Sequence, residues 1–398
     1  MNKIKGYLRA DGKKGIRNAI LVCYLVECSK FVAEKIASEF DDDVQLIGFP
    51  GCYPNEYANN VLKAITTHTN VGGVLLVSLG CESMDKNSLF EHIKKSQREV
   101  GLLTVQDNNG SISTIKKGIS QVKDMQNVLQ STPRADMDIS ELVIGTICGG
   151  SDGTSGMSGN PAVGKAFDTF LEKDATCIFE ETGELIGCEY IMSNRAVNKE
   201  IANSLIKSVQ KAAKYYKVMG HGSFASGNAD GGLTTQEEKS MGAYAKSGSS
   251  KISGIIRPSE APKSKGLFLL DVVPDGPELW GFPNVNDTSE IIELISCGAH
   301  VVLFVTGRGS VVGSAISPVI KICANPTTYK NLKEDMDINA GTIITGESSI
   351  EKVGDEIYNK VIEVANGTPS KSEEMGHREF VLGYKYFDYS TNCNITLN

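Results

Sequence analysis

Short apolar runs alternate with amphipathic segments along the first 130 residues, and this alternation constrains the fold more than any other feature. The apolar runs are rich in β-branched residues and short enough to be buried strands. They cover residues 19–26, 44–49, 71–79 and 102–106. The segments with helical spacing cover residues 31–40, 56–66, 87–100 and 113–129. Apolar strands that alternate with helices predict an α/β domain whose parallel sheet is covered on both faces.

A polar segment at residues 131–136 interrupts this alternation, because it contains a proline and has no hydrophobic periodicity. The alternation then resumes over a longer part of the chain. We therefore predict two α/β domains with parallel sheets, a small one over residues 1–132 and a larger one over residues 138–398. The strands predicted for the second domain are residues 142–147, 176–181, 266–273 and 301–307. Its predicted helices are residues 161–171, 195–216, 235–245, 288–297 and 350–365.

Charge and composition exclude several classes of protein. The formal net charge is −8, whereas a nucleic-acid surface needs clustered Lys and Arg. No run approaches the roughly 20 apolar residues of a membrane span, and the basic N-terminus lacks the apolar region of a signal peptide. We therefore expect a cytoplasmic protein without nucleic-acid or membrane partners, in which the ten cysteines stay reduced.

Glycine is frequent, at 41 of 398 residues, and it clusters where predicted strands end. The first cluster, CGGSDGTSGMSGNP, covers residues 148–161 between a strand and a helix. Open α/β sheets bind ligands beyond the carboxyl ends of their strands, and glycines there let backbone N–H groups approach an anion. The spacing matches neither the P-loop nor the dinucleotide-binding motif. A tight loop without a ligand is the alternative, but Ser151, Asp152 and Ser155 add polar groups and favour an anion or substrate site.

A second glycine cluster, residues 227–232, precedes the helix predicted at 235–245. Thr234 or Thr235 caps that helix in the simplest interpretation, with Glu238 completing a capping box. Lys239 is left without a structural explanation. Beside a glycine-lined cleft it is a candidate carboxylate clamp or, if desolvated, a base, and an exposed helix surface is the alternative.

A third cluster, TGRGS at residues 306–310, ends the strand predicted at 301–307. It brings the Arg308 guanidinium, a hydroxyl group and backbone amides to a strand end where a carboxylate can bind. An exposed turn is the alternative.

Carboxylates also gather at strand ends. Glu180 and Glu181 end the strand predicted at 176–181, Glu184 follows it, and Asp271 lies in the strand predicted at 266–273. Hard divalent cations prefer such oxygen ligands, although solvated surface charge is the alternative. Neighbouring residues of a strand point to opposite faces, so at most one of Glu180 and Glu181 should face the cleft. Thiols stand at strand ends too, at positions 52, 81 and 148, and ligation or nucleophilic chemistry is possible for each.

Taken together and in order, these motifs resemble the altronate/galactarate dehydratase family, specifically its large catalytic portion. The resembling segments are GYLRADG (6–12), GIRN (15–18), GCE (80–82), CGGSDGTSG (148–156) with NPA (160–162), the acidic segment 181–189, GNADGGLTTQEEKS (227–240), TGRGS (306–310) and DMDINAG (335–341).

The resemblance implies the dehydration of a sugar acid such as altronate or galactarate to a 2-keto-3-deoxy acid, with a divalent metal, Fe²⁺ or Mn²⁺. It further implies a dimerising first domain and a Rossmann-like second domain that carries the metal. With the motifs, it gives these candidate catalytic residues: Lys239, His221 and Arg308. The candidate substrate-binding residues are Gly149, Gly150, Ser151, Ser155, Asn228, Thr234, Thr235, Gly307, Ser310 and Lys321. The candidate metal ligands are Asp152, Glu181, Glu184, Asp271 and Cys148.

Two features depart from the family pattern. Many members carry an additional small N-terminal β-rich domain, whereas this sequence starts at GYLRADG, so we expect a separate small β-rich subunit besides a homodimer. Around Cys52 the family often has a histidine before a Gly-Cys-Gly motif, and here the run is FPGCYPN. Two alternatives stay open: the large subunit of a sulfolactate sulfo-lyase, and a non-catalytic subunit that binds an anion or nucleotide.

Overall fold

A computed structural model describes residues 4–41, 43–220, 226–275 and 286–385 of the chain. The strands within these residues are β1 Ile4–Leu8, β2 Lys14–Gly15, β3 Ala19–Tyr24, β4 Val44–Gly48, β5 Val71–Ser78, β6 Glu99–Thr104, β7 Arg134–Met137, β8 Val143–Cys148, β9 Thr176–Glu180, β10 Ile252–Ile256, β11 Gly266–Leu270, β12 Val301–Thr306, β13 Val319–Cys323 and β14 Ile338–Asn339. The α-helices are α1 Glu27–Ala37, α2 Glu56–Thr66, α3 Lys86–Lys95, α4 Ser111–Leu129, α5 Gly159–Leu171, α6 Glu189–Ser193, α7 Lys199–Met219, α8 Ser226–Asp230, α9 Gln236–Ala245, α10 Asp287–Ser296, α11 Pro326–Asn331, α12 Ile350–Ala365 and α13 Lys371–Glu374. No helix among the described residues has both the length and the apolar character that crossing a membrane requires.

The described strands form two parallel sheets and one small antiparallel sheet. The first parallel sheet has the order β4-β3-β5-β6, and the second has the order β10-β11-β9-β8-β12-β13-β14. Helices α1 and α4 pack on one side of the first sheet and α2 and α3 on the other. Every residue of β5 is buried, as expected for a central strand covered on both faces. The predicted α/β class with parallel sheets is confirmed.

The antiparallel sheet, of order β2-β1-β7, lies in a part of the sequence for which we predicted no strand. Its strand β7 belongs partly to the polar segment 131–136, where we expected only a break in periodicity. Pairing of β7 with β1 therefore fastens this connection to the N-terminus. The domain limits at residues 132 and 138 stay a prediction.

The two parallel sheets share one hydrophobic core. Helix α2 of the first sheet packs against α10 of the second, and apolar residues of both surround this contact. A buried carboxylate, Glu293 in α10, accepts hydrogen bonds from the Tyr57 hydroxyl of α2 and the Lys385 ammonium, each at 2.5 Å. The side chain of Asn70, which precedes β5, donates to the backbone oxygens of His300 and Ile316 in the second unit. Polar anchors thus fix how the two sheets pack against each other.

Two histidines that are buried at this junction predict an acid-sensitive fold. The rings of His68 and His300 lie 6.1 Å apart, and burial is the main cause that lowers their pKa values, to about 3 and about 4. The unfolded chain takes up these protons below its ordinary pKa of about 6.5, whereas the folded chain does not. The free energy of unfolding should therefore fall by about 1.4 kcal/mol per histidine and pH unit between pH 6.5 and pH 4.

Urea unfolding of the wild type and of His300→Asn across this pH range measures that slope. The variant should be less stable at every pH, because the ring accepts from the N–H of Val143 at 3.0 Å, but its pH slope should be shallower. The same substitution at the exposed His92 should change the slope far less. Equal slopes for all three proteins would contradict the prediction.

Candidate active site

The carboxyl ends of β8 and β9, which are neighbouring strands, bring together a thiol and two carboxylates. Cys148 is the last residue of β8, and Glu181 and Glu184 follow β9. The Cys148 Sγ lies 3.1 Å from Glu181 Oε2 and 2.8 Å from Glu184 Oε2. The backbone N–H of Cys148 donates to the other oxygen of Glu181. One ligand atom from each of the three residues lies within 4.8 Å of the others, so they form a cluster that can hold a cation.

Two lysines, one in helix α9 and one directly after it, supply the counter-charge. Thr235 caps this helix, as predicted, by accepting from the N–H of Glu238 at 3.1 Å. Lys239 pairs with Glu184, and Lys246, seven residues later on the same side of the helix, pairs with Glu181. The helix approaches the loop after β8 closely, since a Cβ atom at Gly156 would lie 2.9 Å from the Cα of Gly242. Glycine at both positions therefore brings the ammonium groups to the acidic cluster.

Burial and charge set the protonation of this cluster. Burial, reinforced by the neighbouring carboxylates, raises the pKa of Cys148 well above its ordinary value. Burial and the charge of Glu184 also raise the pKa of Glu181. Burial opposes the ionisation of Glu184, but the charge of Lys239 outweighs it and lowers the pKa of Glu184. Burial also opposes the charge of Lys239, but the neighbouring Glu184 outweighs burial and raises the pKa of Lys239 above its ordinary value. Lys239 is therefore an ammonium group rather than a free base.

The backbone of Glu181 is strained. Its φ angle is +152°, outside the regions that residues with a side chain normally adopt. Such a conformation costs about 1–3 kcal/mol and persists where surrounding contacts enforce it. In this conformation the carboxyl group of Glu181 lies against Cys148. Glu180, one residue earlier, lies near acidic residues of α10, and their charge and burial raise the pKa of Glu180. Only Glu181 of these two carboxylates belongs to the group with Cys148 and Glu184, and the expectation that at most one of them faces the cleft stays a prediction.

The loop after β8 is fastened to its neighbours by Asp152. One carboxylate oxygen accepts from the N–H and the hydroxyl of Thr154 at 2.9 and 2.6 Å, and the other accepts from the Asn325 amide at 2.8 Å. A Cβ atom at Gly307 would lie 2.1 Å from this carboxylate. Asp152 thus organises the loops of three strands and stands outside the group formed by Cys148, Glu181 and Glu184. Its role as a metal ligand stays a prediction.

The loop after β12 places Arg308 beside this site. Gly150 accepts at its backbone oxygen from the N–H groups of Gly307 and Arg308, each at 3.0 Å, and the N–H of Gly149 is bound by Val305. These glycines join two loops, and their role in substrate binding stays a prediction. The Arg308 side chain is exposed, and within the described part of the chain its guanidinium has neither an ion pair nor a hydrogen bond. It is therefore available to an anionic ligand.

Asp271, at the end of β11, lies in a different ionic group. It is buried, and it pairs with Lys211 at 3.0 Å and with Arg257. It does not belong to the group of Cys148, Glu181 and Glu184 among the described residues, and its role as a ligand stays a prediction.

Other predicted residues have contacts of their own. Ser151 donates towards Cys148 Sγ at 3.6 Å, and Ser155 closes a turn with Asp152. Thr234 donates twice to the carboxylate of Glu238, which fits the predicted helix cap. The Ser310 hydroxyl accepts a hydrogen bond from the N–H of Val312, and the Lys321 ammonium group lies 3.0 Å from His377 Nδ1. Asn228 is buried in α8. The substrate-binding roles of these residues stay predictions, and His221 lies outside the described residues.

Two residues near the cluster were missed in the sequence. Lys246 stands one helical repeat of seven residues after Lys239, and this spacing could have indicated it. Asp287 begins α10, and a Cβ atom at Gly149 would lie 3.2 Å from its carboxylate. Burial, with the charge of Glu184, raises the pKa of Asp287 to about 6. No local pattern distinguishes Asp287 from an ordinary first-turn acid.

Comparison with known proteins gives the family. Residues 139–387 match the family model described as D-galactarate/altronate dehydratase, C-terminal. The chain belongs to this family. Residues 6–130 match the second domain of D-galactarate dehydratase/altronate hydrolase. The predicted family is confirmed, and so is the predicted class of carbon–oxygen lyases.

The relatives of this chain differ from one another in activity. The chain is 29% identical to the (2R)-sulfolactate sulfo-lyase subunit beta of Chromohalobacter salexigens, over 96% of this chain and 97% of that protein. It is 29% identical to the altronate dehydratase of Bacillus subtilis, over 95% of this chain and 77% of that protein. It is 30% identical to the galactarate dehydratase (L-threo-forming) of Escherichia coli, over 91% of this chain and 72% of that protein.

Proposed function

We propose that this chain is the catalytic large subunit of a metal-dependent hydro-lyase that dehydrates a sugar acid, such as altronate or galactarate, to a 2-keto-3-deoxy acid. The observation that carries this proposal is the buried group of Cys148, Glu181 and Glu184 with its two lysines, at the carboxyl ends of adjacent strands. In parallel sheets this edge is where ligands bind.

The donor set fits a divalent metal. Two carboxylates and a thiol would offer three ligands to a metal. Carboxylate oxygens suit Mn²⁺, and the softer thiol favours iron. The ammonium groups of Lys239 and Lys246 already neutralise the two carboxylates. A bound metal supplies additional positive charge that stabilises negative charge developing on the substrate.

The protein residues account for the rest of the chemistry. Removing a proton α to a carboxylate creates a dianionic intermediate, which needs cationic groups held in place. Arg308 binds the substrate carboxylate, and Lys239, as an ammonium group, stabilises the intermediate at the cluster. His221, which the sequence also predicts as a base, takes the α-proton. The β-hydroxyl group then accepts a proton from the protonated His221 and leaves as water, and the enol product tautomerises to the 2-keto-3-deoxy acid.

The chain works with partners in this proposal. We expect a homodimer and a separate small β-rich subunit, and the name "subunit beta" of the sulfo-lyase relative supports a multi-subunit arrangement.

The nine cysteines of the described residues are all unpaired, which supports a reducing compartment such as the cytoplasm.

A sulfo-lyase is the second candidate, because the match with the sulfolactate sulfo-lyase subunit covers 97% of that protein. Protein purified without oxygen should contain iron or manganese and should be assayed with altronate, galactarate and sulfolactate, with and without a small β-rich subunit. Water release from a hexonate or hexarate supports the proposal. Sulfite release from sulfolactate alone supports the second candidate, and a metal-free protein without turnover supports an anion-binding subunit.

Arg308 provides a test of substrate binding. Arg308→Ala should raise KM for the sugar acid by about 10- to 100-fold with a smaller change in kcat, because a charge-assisted hydrogen bond contributes about 1.5–3 kcal/mol. Arg308→Lys should recover part of this loss. The matched control Lys333→Ala removes an exposed cation of the segment after α11 and should leave KM unchanged. An unchanged KM in Arg308→Ala would show that the carboxylate binds elsewhere.

A further inference from the structure

A small cavity opens next to Lys239, on the side of the cluster formed by the loop after β8 and helix α9. Its volume is about 320 Å³, which lies at the lower end of the range for small-molecule sites. Ser151 and Lys239 line it, and both also contact the cluster residues Cys148 and Glu184. The cavity therefore adjoins the candidate active site through these two side chains.

Asn160 presents an unsatisfied amide to this cavity. The residue lies in the first turn of α5 and is only 2% exposed. Its Oδ1 is buried, and within the described residues its side chain makes no hydrogen bond. A buried amide without a partner costs about 1–3 kcal/mol, and native proteins retain such a group only for a reason. The fold does not need the Asn160 amide for packing or capping, since Ser158 is the residue before the helix and its hydroxyl binds other groups.

The chemistry of the cavity favours a hydroxyl group as the missing partner. An amide offers a donor and an acceptor, and a hydroxyl group can donate to the amide oxygen or accept from the amide N–H. Lys239, the one cation among the lining residues, is already paired with Glu184. Leu233 and Met241 add apolar walls that suit the carbon chain between hydroxyl groups.

We propose that this cavity binds the part of a polyhydroxy acid that extends beyond its reacting carbons, and that Asn160 hydrogen-bonds a hydroxyl group there. This inference rests on the proposed function and deepens it, because it states what the substrate must contain. A six-carbon aldonate or aldarate has such an extension, whereas the three-carbon sulfolactate does not. Asn160 is then a specificity-determining residue that selects long polyhydroxy acids over short ones.

The test uses the full-length protein with its metal, in the variants Asn160→Ala and Asn160→Ser. Altronate and galactarate should lose about 10- to 100-fold in kcat/KM in Asn160→Ala, mainly through KM, because one or two hydrogen bonds disappear. Asn160→Ser keeps a hydroxyl group and should lose less. Asn331→Ala is the matched control, because this asparagine is exposed at the end of α11. It should behave as the wild type.

Thermal unfolding separates recognition from a structural role. Because the amide has no protein partner, Asn160→Ala should melt at the same temperature as the wild type or higher. A lower melting temperature together with an unchanged KM would overturn the inference.

Calorimetric titration with altronate and galactarate keeps this inference distinct from the proposed function. If the wild type binds a six-carbon acid without turning it over, and Asn160→Ala binds it about tenfold or more weakly, the inference stands while the dehydratase proposal fails. If the wild type dehydrates these acids and Asn160→Ala does so equally well, the inference fails and the proposal stands. If the wild type binds neither acid, both fail.

Discussion

Glu181→Gln is expected to remove metal binding and to lower turnover of the sugar acid by about a thousandfold or more. The substitution replaces one of three converging ligands by a neutral amide of the same size. It also removes the carboxyl partner of Lys246, which is 1% exposed and would be left in the interior beside a neutral amide. Metal content after anaerobic purification and kcat/KM on altronate or galactarate measure the two effects.

Glu180→Gln is the matched control, because it makes the same change one residue earlier in the chain. Glu180 lies among acidic groups of α10 that, with burial, raise its pKa, and it does not belong to the group formed by Cys148, Glu181 and Glu184. We expect this variant to keep its metal and its activity. Normal metal content in Glu181→Gln, or an equal loss in both variants, would contradict the assignment of Glu181. Cys148→Ser should likewise reduce metal content, since the sulfur lies against both carboxylates.

Lys239→Met is expected to lower kcat/KM by about 100- to 10,000-fold while the protein stays folded. Its ammonium group is paired with Glu184 and lines the cavity next to the cluster, so it faces the place where negative charge develops. Methionine is unbranched and nearly as long as lysine, and it removes the ammonium group. Steady-state kinetics on the sugar acid, with metal content as a second measurement, separate a loss of catalysis from a loss of the metal site.

The variant Lys239→Arg distinguishes an electrostatic role of this residue from proton transfer. Arginine retains the positive charge but cannot give up its proton, so an electrostatic role should leave about a tenth of the activity. If Lys239→Arg is as inactive as Lys239→Met, Lys239 transfers a proton during the reaction. Lys251→Met, which removes an exposed lysine shortly after α9, should have no effect.

Much of the fold follows from hydrophobic periodicity, and the exceptions have physical reasons. Helix α2 was predicted at 56–66 and occupies those residues, because its apolar positions have a regular helical spacing and Asn55 caps it. Strand β13 was missed, because Lys321 interrupts an otherwise apolar run. Its ammonium group contacts His377, which is 56 residues away in the sequence. Strands β1, β2 and β7 were missed because they are short, polar at several positions and antiparallel.

The site was predictable to the extent that strand ends are predictable. The three residues of the cluster lie at or just after the ends of two predicted strands, and these strands are neighbours in the structure. The residues are Cys148, Glu181 and Glu184. Asp271 also ends a strand next to β9, and nothing in the sequence shows that Lys211 and Arg257 pair with it. Such pairs join distant parts of the chain, so they depend on strand order rather than on local pattern. The orphan amide of Asn160 depends in the same way on what surrounds it.

The carboxylate of Glu293 has a consequence for how this protein is made. It is completely buried, and its partners are Tyr57, near the start of the chain, and Lys385, near the end. Domains emerge from the ribosome and fold from the N-terminus onwards. The first sheet is therefore complete long before the cation that neutralises Glu293 has been synthesised. Desolvating an unpaired carboxylate is costly, so we expect the close packing of α10 onto α2 to wait until Lys385 has been synthesised.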